Sequence, residues 1–155
     1  MGEEQRILES LDNPEFRSLL EGRVTSLSTT RYIITSPIDK RYNCIAWAAS
    51  DTRRWWQPGR YWLADWPQDP SVEAFEAAFA TLGYVVCEND VHEPGFEKIA
   101  IYSQDGAVAH MARQLPDGNW TSKLGSLQDI THGTPHSLEA IPHYGRVARI
   151  MKRPA

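Results

Sequence analysis

The sequence predicts an α+β fold: one domain in which helices pack on one face of an antiparallel sheet. Three observations predict it. Apolar residues Val72, Phe75, Phe79 and Leu82 recur at helical spacing and stop at Gly83. Residues 98–124 read as three successive strands separated by turn chemistry at Asp105-Gly106 and Pro116-Asp117-Gly118-Asn119. A chain of 155 residues is long enough to bury a core without staples and short enough for one domain. The expected layout is a helical N-terminal extension, residues 1–30, packed on a core spanning 31–152.

Taken in order, Ile7, Leu8 and Leu11 give a weakly amphipathic helix over 3–12. Asn13-Pro14 supplies an N-cap with proline at the first helical position, ahead of Phe16, Leu19 and Leu20, and Gly22 reads as a stop. Tyr32 to Thr35 is a short strand. Pro37 holds Ser36 extended, so the next helix starts after it, over 43–50 with Asn43 as cap. Residues 51–67 carry Trp55, Trp56, Tyr61, Trp62 and Trp66 without helical or strand periodicity, an irregular loop held by its own rings. Asp69-Pro70 opens the clear helix, and Tyr84 to Cys87 is a strand. The meander of 98–124 follows, then a Pro- and His-rich loop, and a last apolar strand from Val147 to Met151.

A net charge of −4 and the absence of a basic surface argue against nucleic acid and against an anionic membrane as partners. No basic and apolar leader opens the chain, and no apolar run approaches the length needed to span a bilayer. The expected location is cytoplasmic, with signal-independent export left open. The two cysteines, Cys44 and Cys87, do not form a secreted disulfide pattern. His132, His136 and His143 are separated by Pro135 and Pro142, so no helix aligns them, and no zinc spacing occurs: no metal and no cofactor is expected.

The chemistry centres on Cys44. At the head of a helix, unpaired N–H groups and the dipole favour thiolate. Most free cysteines are instead small buried hydrophobes. With Asp105-Gly106 as a two-residue loop, Tyr102 pairs with Ala109 and Ile101 with His110. His110 then shares a face with Ile99, Ile101, Val108 and Ala112, while Lys98, Tyr102, Met111 and Arg113 form a solvated face. If the face of His110 packs on the cysteine helix, thiol and imidazole meet as nucleophile and base. A third group should orient the imidazole. Asp129 is the best acceptor, with Asn119 behind it, because a two-residue turn at Asp117-Gly118 places Ser122 on the wrong face. Asn43, or the N–H groups at the helix head, would line an oxyanion hole. Trp47, Trp55, Trp56 and Trp62 are the candidate substrate-binding wall, or, in a non-catalytic binding module, an aromatic platform.

Cys44-Ile45-Ala46-Trp47-Ala48, His110 on a later antiparallel strand, and Trp120-Thr121-Ser122-Lys123-Leu124-Gly125 on the next strand resemble the papain-like cysteine hydrolase superfamily in a minimal bacterial form. The order of cysteine, histidine and third polar residue is that family's order. Position 38 carries Ile38 where the family has glutamine, and no asparagine follows His110 at the expected strand position. The stretches 42–48, 99–102 and 110–125 are also similar to a bacterial group without an established substrate, over roughly 32–152. The resemblance implies a papain-like half-fold and attack of the Cys44 thiolate on an amide or ester carbonyl, with a thioester intermediate. It implies a peptide or protein substrate, through peptidase, amidase or deamidase chemistry, and leaves open a secreted effector or toxin.

Overall fold

In the computed structural model the described residues, 11–58, 60–62 and 69–155, build one sheet with covers on both faces. Helix α1 (Pro14–Arg23) and a 3-10 helix, η1 (Thr25–Thr29), precede strand β1 (Tyr32–Ile34). Helix α2 (Cys44–Ala48) and helix α3 (Val72–Ala80) follow, then β2 (Val85–Cys87), β3 (Phe96–Gln104), β4 (Ala107–Gln114), β5 (Trp120–Lys123) and β6 (Asp129–His132). A 3-10 helix, η2 (Pro135–Leu138), leads into β7 (Arg146–Pro154). The seven strands run in the order β1-β6-β5-β4-β3-β7-β2, and all pairs are antiparallel.

Strand β3 explains why both faces are covered. Ile99 and Ile101 point to one side and Ala100 and Tyr102 to the other, and all four are fully buried. A strand with apolar residues at every position must be packed above and below. On the Tyr102 side, Ala112, Trp120 and Ile130 meet Leu20, Val24 and Leu27 from α1 and η1, with Leu138 from η2. On the Ile101 side, Met111 and Met151 meet Phe75, Ala78 and Phe79 of α3 and Ala48 of α2. The expectation of helices on one face is therefore corrected. The N-terminal segment is one of the two covers, and the supposed solvated face does not exist as one: Lys98, 1% exposed, lies on the Tyr102 side, while Met111, fully buried, lies on the Ile101 side.

Local signals place the helices. Asn13 caps α1 by accepting from the Phe16 N–H, with Pro14 at the first position, as the sequence predicts. Gly22 lies inside α1, which ends when Val24 turns extended. Ser71 caps α3 through the Ala74 N–H, two residues later than Asp69-Pro70 suggested. Strand β6 was expected as loop. Its chemistry is polar and short, and it is held as a strand by pairing on both sides. The predicted helix over 3–12 and Trp66 lie largely or wholly outside the described residues. Among the described residues no helix is long and apolar enough to cross a membrane.

Candidate functional site

Two turns set which residues meet. The β3–β4 hairpin does turn through Asp105 and Gly106, both at positive φ (54° and 83°), the geometry of a two-residue primed turn. Beyond it the register shifts: Ser103 pairs with Val108, but Tyr102 pairs with His110 and Ile101 with Met111, leaving Ala109 as the extra residue of a bulge. His110 thus lies on the face of Ala100, Tyr102 and Ala112, not that of Ile99 and Ile101. A one-residue slip exchanges every face beyond it.

The second turn is also one residue different from expectation. Leu115 N–H donates to the Asn119 carbonyl, so the loop is Pro116-Asp117-Gly118, with Gly118 at φ 91°. Arg113 then pairs with Thr121, and Ser122 falls on the same face as His110. The His110 Nε2 and Ser122 Oγ are 3.0 Å apart. Ser122 Oγ is in turn 2.8 Å from His132 Nε2, and His132 Nδ1 donates to the Thr134 carbonyl at 2.8 Å. All three side chains are buried. The ring of Tyr144 stacks on His110 at 4.1 Å and 18°, and Tyr102 meets it edge-on at 4.9 Å. The His110 Nδ1 is buried and has no hydrogen-bond partner among the described residues. Burial, and secondarily His132, depresses the His110 pKa to about 3, and burial depresses His132 to about 4, so both are neutral near pH 7.

Cys44 opens α2 as expected, with Asn43 accepting from the Ala46 N–H at 3.1 Å. The helix lies against the opposite face of the sheet from His110: Trp47 Nε1 donates to Thr121 and Arg113 donates to the Trp47 carbonyl. The thiol lies beside the backbone N–H of Met111, the residue after His110. Strand β5 has left β4 at this level, since their pairing ends at Arg113 and Thr121 while β5 continues with β6 to Lys123. No hydrogen bond joins the thiol to His110. Cys44 is half-buried as a residue. The packed surroundings raise its thiol pKa, against smaller lowering effects from the N–H groups of Met111, Ile45 and Cys44 and from Lys123. The expected acidic thiolate is corrected: a helix of five residues carries too short a dipole to outweigh desolvation.

The other candidates go elsewhere. Asp129 pairs with Lys123 across β5–β6, so it faces away from Ser122 and His110. Its carboxylate accepts from Thr35 at 2.6 Å and Tyr42 at 2.9 Å, and it does not orient the imidazole. The Asn43 side chain caps α2 and bonds the Trp56 N–H and carbonyl. Trp56 (5% exposed) and Trp62 (8%) are core residues, packed on Phe79 and Phe75 respectively, not a binding wall. Trp47 and Trp55 are half-buried. Trp47 lies under the Arg113 guanidinium, and Trp55 donates to Gln57.

Sequence reasoning set Ser122 aside as facing the wrong way, passed over Lys123 and His132 in favour of Asp129, and missed Tyr144. Lys123 is fully buried, donates to the Asp39 and Gly125 carbonyls, and lies over the Tyr42 ring. Burial lowers its pKa. Only Ser122 had a legible signal: Gly118 at the end of Pro116-Asp117-Gly118 fits a three-residue loop with a left-handed last position, which restores Ser122 to the face of His110. Tyr144 also lines a cavity of about 320 Å³ with Arg23, Val24, Leu124, Leu127 and His143. Among the described residues no three His, Cys, Asp or Glu side chains gather to hold a metal, and both cysteines are free.

Neither the curated proteins nor the solved structures contain a match to this chain. A family model described as "Domain of unknown function (DUF7689)" matches residues 33–152, which takes in α2, α3, strands β2 to β6 and the whole His110–Ser122–His132 chain, and the protein belongs to that family.

Proposed function

We propose that the protein is a cysteine-dependent hydrolase or acyl transferase, papain-like in its chemistry, acting on an amide or ester carbonyl of a peptide or protein. The observation that carries this reading is the His110 Nδ1: a buried ring nitrogen without a partner, one residue from the N–H that touches the Cys44 thiol. An unpaired buried polar atom calls for an explanation, and a reacting group that arrives beside the thiol supplies one.

The resting pair is a neutral thiol and a neutral imidazole, so the mechanism is general-base attack rather than attack by a standing thiolate. As the Cys44 sulfur bonds to the carbonyl carbon, its proton passes to His110 Nδ1. The oxyanion is met by backbone N–H groups of Cys44 and Met111. Collapse expels the amine or alcohol, which takes the proton back from His110, and leaves a thioester on Cys44. Water, deprotonated by His110, or a second nucleophile then releases the acyl group. The buried positions of Trp56 and Trp62 count against an aromatic binding platform.

Incubation with p-nitrophenyl acetate followed by intact-mass and peptide mapping tests the proposal. An acetyl adduct on Cys44 that turns over, and that is lost in Cys44→Ser and strongly slowed in His110→Ala, is expected. A folded wild-type protein that takes up no acetyl group on Cys44, or takes it up equally well without His110, would overturn it.

A further inference from the structure

We infer that Ser122 and His132 form a one-way hydrogen-bond chain that fixes His110 as the tautomer protonated on Nε2 and bare on Nδ1. The direction is set at the far end. The Thr134 carbonyl can only accept, so His132 Nδ1 carries the proton. His132 is neutral: it is 2% exposed, its cross-strand neighbours Tyr32 and Trp120 bring no carboxylate, and the cavity it lines, of about 590 Å³, is shared with the cations of Arg17 and Arg31. Its Nε2 is therefore a bare acceptor.

Ser122 has a single hydroxyl proton, and that proton goes to His132 Nε2 at 2.8 Å. The oxygen is left as an acceptor toward His110, 3.0 Å away, so His110 Nε2 must donate. A neutral imidazole that donates from Nε2 is bare on Nδ1, and Nδ1 is the buried nitrogen without a partner. Among the described residues His132 is the titratable neighbour that acts on His110, and the rings of Tyr102 and Tyr144 contact it. Ser122 and His132 are thus positioning residues. They stand where an amide or carboxylate would do this work alone, and a hydroxyl needs a second, polarised acceptor behind it because it can point its proton either way.

The catalytic consequence rests on the Cys44–His110 reading, but the tautomer does not, and the test keeps them apart. In uniformly ¹⁵N-labelled protein near neutral pH, long-range proton–nitrogen correlation of the histidine rings should show a protonated Nε2 and bare Nδ1 in His110, and the reverse in His132. His110 found protonated on Nδ1, or on both nitrogens, would overturn the inference, whatever the esterase result. In Ser122→Ala the His110 signals should move to a mixture of tautomers, while Ser122→Thr, which keeps the hydroxyl, should restore the wild-type pattern. Acylation of Cys44 should fall by roughly ten- to a hundredfold in Ser122→Ala, because a mixed tautomer still supplies part of the base, and recover in Ser122→Thr. An unchanged tautomer in Ser122→Ala would remove the serine from the chain. If that variant does not fold, the wild-type spectrum alone still decides.

Discussion

At Cys44 the helix head and the packing pull the thiol in opposite directions, and the packing prevails. Alkylation by iodoacetamide, which needs thiolate but no positioned base, should be slow at neutral pH and rise only above the range of free cysteine, about 8.5. An apparent pKa below that value would contradict this. His110 and His132 give a second expectation. Their folded pKa values, about 3 and about 4, lie below the value of about 6.5 for an unfolded histidine. Between those limits the unfolded chain binds protons that the folded chain refuses. Their contribution to stability is therefore whole above about pH 6.5 and is lost as pH falls toward 4 and then 3. At about 1.4 kcal/mol per unit the two together are worth several kcal/mol. Urea unfolding at pH 7 and at pH 5 checks it: the midpoint should fall clearly at pH 5, and an unchanged midpoint would show that these imidazoles are not held neutral.

Elements carry the site through single residues. Gly145, at φ 69°, brings Tyr144 against the bulge at Tyr102, and a Cβ there would sit 2.0 Å from the Ser103 carbonyl oxygen. Gly145→Ala should cost about 3 kcal/mol or more and move Tyr144 off His110, read as a lower melting temperature and a changed ring-current shift on the imidazole. Asn43 caps α2 and ties it to Trp56 by two more hydrogen bonds, so Asn43→Ala should cost about 2–3 kcal/mol, above the typical cap. Chemical denaturation would check it.

Much of this level was legible in the sequence. The helix caps at Asn13 and Asn43, the Asp105-Gly106 turn and all three strands of the meander follow from local rules, because each signal lies within a few residues of what it specifies. The bulge at Ala109 was not legible. It coincides with the packing of Tyr102 and Tyr144 on His110, contacts distant in sequence, and no local residue announces it. The same holds for β6, a polar segment made a strand by its neighbours. Cys44 and His110 could be singled out by residue type, whereas Ser122 and His132 required the register.

At the scale of the molecule, the sheet is closed between two cores, and the site lies where β4 and β5 part between them. The aromatic segment belongs to this architecture. The Trp56 indole donates to Asp51 and its ring meets Tyr61 and Phe79, so Trp56→Ala should destabilise the protein by about 3–5 kcal/mol. A melting temperature left unchanged would return Trp56 to the role of a binding surface.

The pH dependence and solvent isotope effect of Cys44 acylation by an activated ester test the central claim, a neutral thiol deprotonated by His110 during attack, most directly. The account predicts a rate nearly level from about pH 5 to pH 8 and about twofold slower in heavy water, because a proton is in flight at the transition state. A rate that climbs tenfold with each pH unit across that range, with no slowing in heavy water, would mean that free thiolate is the nucleophile and His110 is not its base.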